Sequence, residues 1–403
     1  MPFKAFDLLS LYAFVRPARF CLPTPKGVAA ALGLAEPKSM EDSAGALLEA
    51  ARLLLAELAA AKPDADVADL AWTMADAGWA WGPVAARATA ASGATGASAS
   101  GRGFEVWRRL PVWREDAPDG EPGQQPVPIE KARRRLTEML GDDAEPRPQQ
   151  ADYASACSAA FQPRESDEAP DLVLAEAGTG VGKTLGYLAP ASLWAEKNGA
   201  PVWIATYTRN LQRQIDDELD RLYPLAADKQ AHVVVRKGRE NYLCLLNFEE
   251  AARGGRGRPE DAIALGLMAR WAMATRDGDL VGGDMPGWLV DLIGPRYALG
   301  LADRRGECVY AACAHYQKCF IERSVRRARR ARIVVANHAL VMAQAAMGGL
   351  DDAHTPTRYV FDEGHHVFDA ADSAFSAALT GLETREFRRW LVGAEARAGR
   401  ARG

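Results

Sequence analysis

The chain has no apolar run long enough to cross a bilayer. Charges also interrupt its first 23 residues, Met1 to Pro23, where a secretory leader would carry an unbroken apolar block. A cytoplasmic protein with no membrane association is therefore expected. Strong charge of either sign is missing too: 49 Lys and Arg against 53 Asp and Glu leave a net charge of −4. Any surface that attracts nucleic acid must then be local. Cysteine is scarce, with 6 in 403 residues, and no Cys-x2-Cys pair occurs. A disulfide framework is not expected in such a chain, which leaves metal or redox use, and the tight spacing of zinc ribbons is absent. No internal repeat is found.

What is present allows two or three domains. Residues 1–87 read as a mostly helical N-terminal region with a Pro-rich interruption at 17–25. Within it, residues 47–58 (LLEAARLLLAEL) place apolar side chains at helical spacing, and Trp72, Trp79 and Trp81 are expected to anchor a small core. Residues 88–128 read as a linker. Its low-complexity start, 88–103 (ATAASGATGASASGRG), cannot bury enough apolar surface to order itself. A short Trp segment at 107–113 and a Pro/Gly-rich connector at 116–128 follow. An amphipathic helix is expected over 129–140.

From there short apolar runs alternate with helical patterns: 172–175, 202–205, 232–235, 333–336 and 359–361. Such runs separated by crossover helices predict an α/β fold with a parallel sheet buried on both faces. One excursion, 237–330, interrupts the alternation and holds Cys244, Cys308, Cys313 and Cys319.

The run 172–175 leads into Ala177-Gly178-Thr179-Gly180-Val181-Gly182-Lys183-Thr184, and helical residues follow. Strand, glycine-rich loop and helix form the setting of a phosphate loop. Gly178, Gly180 and Gly182 let backbone amides turn onto phosphates, Thr179 and Val181 complete the cradle, and Lys183 reaches the β/γ-phosphates. The Thr184 hydroxyl is suited to Mg²⁺. Ala177 stands where the strict pattern has glycine. Downstream, residues 358–361 read as a strand that delivers Asp362 and Glu363 to the edge of the sheet where ligands bind. Asp362 is expected to hold Mg²⁺ and Glu363 to deprotonate the attacking water, with His365 close by.

The order of the phosphate loop, Ala205-Thr206-Tyr207-Thr208-Arg209-Asn210-Leu211-Gln212, Asn337-His338-Ala339-Leu340 and Asp362-Glu363-Gly364-His365 resembles superfamily 2 helicases of the DinG/XPD type. Gly364 departs from the usual Asp-Glu-Ala-His box, and the resemblance covers about residues 146–391. It implies a RecA-like P-loop sheet and an ATP-hydrolysing DNA helicase acting 5′→3′ on single-stranded or forked DNA. Catalysis would fall to Lys183, Asp362, Glu363 and His365. Gln150 would sense adenine, with Gln149 the neighbouring alternative. Thr206, Thr208, Arg209, Asn337 and His338 would lie along the DNA. Lys237 and Arg239, together with the arginines of 323–332, would add a local basic track.

The cysteine spacing, Cys244-x63-Cys308-x4-Cys313-x5-Cys319, leaves zinc and an iron–sulfur cluster both open. The resemblance implies a [4Fe–4S] cluster on these four thiolates, acting as a structural pin, and residues 237–244 resemble the family's entry into it. Cys21, Cys157 and His315 are expected to take no metal. The division that results is 1–87 helical region, 88–128 linker, 129–236 first part of motor domain 1, 237–330 cluster insert, 331–380 continuation of the motor domain and 381–403 start of a helical arch. Residues 1–87 faintly resemble the back half of a DnaQ-like exonuclease domain, without its Asp-x-Glu carboxylates. Because the sequence stops at Gly403, before any second RecA-like domain, the 403-residue chain is expected to bind ATP·Mg²⁺ weakly and not to unwind DNA alone. A non-catalytic cluster-bearing DNA-binding protein is the competing expectation, and a truncated product without a stable fold is a third.

Overall fold

The computed structural model describes residues 5–93, 100–113, 122–141, 144–145, 147–164, 170–254, 259–303, 308–347, 357–377 and single positions up to 391. The expected helical arch at 381–403 lies almost wholly outside these residues, as do the middle of the low-complexity stretch and residues 116–121 of the connector. The chain divides into two compact units. One comprises residues 1–120 and 237–329, the other 121–236 and 330–403. Among the described residues no helix is long and apolar enough to cross a membrane.

Among the described residues the second unit carries a four-stranded, wholly parallel sheet. Its strands are β1 (Val202–Thr206), β2 (Val233–Val235), β3 (Ile333–Asn337) and β4 (Arg358–Phe361), in the order β2-β3-β1-β4. β1 and β3 are buried nearly throughout, which explains why they read as continuous apolar runs and not as alternating ones. The register sets Thr206 beside Asn337 and Ala205 beside Phe361, so the residues that follow β1, β3 and β4 emerge together at one edge. Helices Ile129–Leu140, Pro148–Cys157 and Lys183–Asn198 close the core through Leu136, Ala154, Leu188 and Trp194. The helix expected over 129–140 is the one observed.

The run 172–175 is not a strand. Leu172 and Leu174 are 79% and 89% exposed, and no described strand pairs with them. A strand exists through the ladder that satisfies its backbone groups, and four apolar residues in a row cannot supply that partner.

The first unit is helical and draws its core from both of its chain segments. Leu11, Phe14, Leu54, Leu70, Met74 and Trp79 of the N-terminal helices pack in one cluster with Leu265, Met268, Trp271 and Phe320 of 237–329. Helix Met40–Ala60 contains the predicted 47–58 pattern. It starts at Ser39 with a capping box, in which Ser39 and Asp42 each accept the other's backbone N–H. Trp79 lies in the core as expected and donates to Ser10 Oγ at 3.0 Å. Trp288 Nε1 donates to the Cys21 carbonyl at 2.9 Å, and Arg270 Nε donates to the Phe14 carbonyl at 2.8 Å.

Parts of the expected linker are held in place. Residues 88–91 complete helix Gly82–Ala91. The buried Asp69 carboxylate accepts from Ser100 N and Oγ, both at 2.7 Å, and from Gly103 N at 2.8 Å. Three donors to one buried carboxylate order a segment whose own side chains could not.

Candidate nucleotide site

Helix Lys183–Asn198 begins at the end of the glycine-rich loop, so its first amides face the same side as the loop. Gly180 and Gly182 have φ of +81° and +87°, a left-handed backbone that side chains disfavour. At Gly182 an added Cβ would also fall 2.2 Å from Gln150 Nε2. Gly178 needs no such conformation and faces open space. Gln150 is 2% exposed and its Nε2 donates to the Gly182 carbonyl at 2.9 Å, bracing the loop, while its buried Oε1 has no partner among the described residues. Gln149 is exposed. Beside the loop lies a cavity of about 470 Å³, walled by Leu140, Ala144, Leu185, Gln150 and Arg147.

Lys183 Nζ lies 3.3 Å from Glu363 Oε1, which brings the phosphate loop to the acidic pair across 180 residues of sequence. Asp362 accepts from the Thr206 hydroxyl at 3.2 Å, and its backbone N–H donates to the Ala205 carbonyl at 2.8 Å. Burial pushes the Asp362 carboxyl up. The Thr206 hydrogen bond and Lys183 oppose that shift, and the adjacent Glu363 charge adds to it. A divalent cation would relieve both the burial and the repulsion. Glu363 holds φ +54° and ψ +50°, a strained backbone for a residue with a Cβ, of the kind that gathers at functional sites. His365 Nδ1 stands 3.6 Å from Glu363 Oε2.

The residues expected along DNA are placed unevenly. Thr206 is buried and committed to Asp362. Thr208 and Asn337 cap helices Arg209–Glu218 and His338–Ala346, accepting from Leu211 N and Leu340 N. His338 is 1% exposed, its ring lies against the backbone of Asp362 and Glu363, and burial holds the imidazole below its usual range. Arg209 is exposed. Lys237 pairs with Asp279, and Arg239 with Asp303 at 2.7 Å. Sequence reasoning overlooked the Thr206–Asp362 bond, whose only sequence signal was a hydroxyl at the end of a strand. It also overlooked the stack of Tyr207 on His366, with ring centroids 3.8 Å apart.

The four cysteines of 237–330 are free thiols in the first unit. Cys244 and Cys319 directly precede helices Leu245–Gly254 and Phe320–Arg330, and amides of those first turns donate to their sulfurs. Burial nevertheless pushes both thiols up, Cys244 to about 12. Cys308 Sγ accepts from Arg239 Nη2 at 2.8 Å. The loop bearing Cys313 and Cys319 is braced from residues 107–113. Trp113 Nε1 donates to the Tyr316 carbonyl at 2.7 Å, and Lys318 Nζ donates to the Trp107 carbonyl at 2.7 Å. His315 is taken by Glu249 at 2.8 Å. Four free thiols, two at helix N-termini and one beside a guanidinium, suit a thiolate-ligated group in type. Among the described residues, however, no three of His, Cys, Asp and Glu are close enough together to hold a metal ion.

The fold is α/β with a parallel sheet, and the glycine-rich loop and the Asp362–Glu363 pair meet at one edge of it through Lys183. No family model matches the chain. Among curated proteins it is similar to the ATP-dependent helicase DinG of Mycobacterium tuberculosis, 33% identical over 269 residues, which are 60% of this chain and 38% of that protein. The ATP-dependent DNA helicase YoaA of Haemophilus influenzae is 30% identical over 247 residues, 59% of this chain and 36% of its own. The 3′-5′ exonuclease DinG of Bacillus subtilis is 30% identical over 216 residues, 52% of this chain and 22% of its own. The chain is thus related over part of its length to the DinG-type helicases, and it spans well under half the length of these relatives.

Proposed function

We propose that the chain carries the nucleotide-hydrolysing part of a cytoplasmic ATP-dependent DNA helicase of the DinG type, working 5′→3′ on single-stranded or forked DNA. The observation that carries this reading is Lys183 at 3.3 Å from Glu363, with Asp362 alongside on the same sheet edge. The loop amides and Lys183 hold the phosphates, and Thr184 and Asp362 hold Mg²⁺. Glu363 takes the proton of the attacking water, and His365 supports its carboxylate. The cavity beside the loop takes the base, where the unpartnered Gln150 Oε1 accepts from the adenine amine. Arg209, exposed at the start of its helix, is the residue best placed to meet a DNA phosphate. Glu363→Gln is expected to keep binding a fluorescent ATP analogue while hydrolysis falls by roughly 10²- to 10⁴-fold. Hydrolysis by that variant at the wild-type rate would sink the assignment.

Cys244, Cys308, Cys313 and Cys319 are proposed to hold a [4Fe–4S] cluster, which supplies a cross-link between distant parts of 237–330. The thiols at the two helix N-termini support this reading, and their raised pKa means that they lose protons on ligation, so loading strengthens as pH rises. Anaerobically purified protein should be brown, with broad visible absorbance, and Cys244→Ser should be colourless. A colourless, zinc-loaded wild-type protein would refute the cluster.

A further inference from the structure

We propose that the ring of Tyr207 is a stacking seat for an unpaired nucleobase, and that it reports occupancy of the seat to Glu363 through His366 and His365. The inference rests on the reading of this site as a DNA-dependent ATPase and adds the element that would make hydrolysis depend on DNA.

Tyr207 is the first residue beyond β1. One face of its ring lies on His366, with centroids 3.8 Å apart and planes 14° from parallel, yet the residue is 48% exposed. An aromatic ring with one face covered and its remaining surface in water can accept another flat π-system, and stacking of this kind tolerates any base. Arg209, exposed two residues further on, provides a cation for the phosphate beside such a base.

The inner face leads to the acidic pair in short steps. His366 and His365 have ring centroids 4.1 Å apart, and His365 Nδ1 is 3.6 Å from Glu363 Oε2. The other carboxylate oxygen of Glu363 faces Lys183 at 3.3 Å. The residues on either side of Tyr207 are tied down by their side chains, with the Thr206 hydroxyl donating to Asp362 at 3.2 Å and the Thr208 hydroxyl capping the next helix. A base pressing on Tyr207 therefore cannot be absorbed by a loose loop. The displacement passes to His366, and Glu363 already sits in a strained left-handed backbone from which a small shift re-aims its carboxylate. Tyr207 is in this sense a positioning residue.

The experiment uses the 403-residue chain with two oligonucleotides, oligo-dT and an abasic strand of equal length, together with a strand containing 2-aminopurine. Wild type should quench 2-aminopurine fluorescence, and oligo-dT should stimulate ATP hydrolysis more than the abasic strand does. Tyr207→Ala should bind oligo-dT roughly tenfold more weakly or worse, lose the quenching and respond to both strands alike. Tyr207→Phe and Tyr207→Trp should restore both effects, and matching thermal melts establish that the variants fold. Equal quenching by wild type and Tyr207→Ala, or equal stimulation of wild type by abasic and base-bearing strands, overturns the proposal. A wild-type chain that hydrolyses no ATP removes the reporting step along with the proposed function. Quenching that Tyr207→Ala alone abolishes would then still uphold the seat.

Discussion

Lys183→Ala is expected to weaken ATP binding by roughly 10- to 100-fold, the equivalent of about 1.5–3 kcal/mol for a hydrogen bond to a charged group, and to end hydrolysis. The ammonium is the group on the phosphate loop that meets the acidic pair, at 3.3 Å from Glu363. Its removal takes away both the phosphate contact and the counter-charge to two adjacent carboxylates, one of which burial already penalises. Titration with a fluorescent ATP analogue, with and without Mg²⁺, measures the change. A loop kept only as a structural remnant in a non-catalytic DNA-binding protein predicts that wild type and variant are indistinguishable, and that result would discard the enzyme reading.

Phe14→Ala is expected to cost about 3–5 kcal/mol and to loosen residues far from it in sequence. Phe14 is fully buried, packs on Trp79 at 5.1 Å between ring centroids, and lies under the guanidinium of Arg270 at 5.2 Å. Arg270 in turn donates to the Phe14 carbonyl, and burial has already pulled this guanidinium down to about 10. A cavity here strips cover from a half-buried cation as well as removing apolar contact. Because the core is drawn from both chain segments, hydrogen exchange should rise together over 8–91 and 245–293. Faster exchange confined to 8–91 would mean that the two segments are not one cooperative unit.

The phosphate loop and the acidic pair were legible because each is a contiguous set of residue types whose chemistry does not depend on distant partners. Their meeting was expected at the sheet edge where ligands bind in parallel α/β folds, and the Lys183–Glu363 pair itself is seen in the structure. The buried strands β1 and β3 were legible from their apolar runs, whereas 172–175 had the same texture and no ladder to join. Thr206 and His338 were expected along DNA from the resemblance, and a motif does not say which of its side chains are exposed. The parallel register turns both toward the acidic pair instead, and register is a property of paired strands. The joining of residues 1–120 with 237–329 was not legible at all. Helical periodicity shows that a face seeks burial but does not name the surface that covers it.

That joining makes one folding unit out of two stretches of chain, with 121–236 made in between. At synthesis rates of roughly 5–20 residues per second, about 11–43 s separate the emergence of Leu54 from that of Trp271 in their partner segment. For that interval Leu11, Phe14 and Leu54 have helices to sit on but no Met268 or Trp271 to cover them. The order in which this chain leaves the ribosome thus leaves the apolar faces of its first helices uncovered until their partner segment is made.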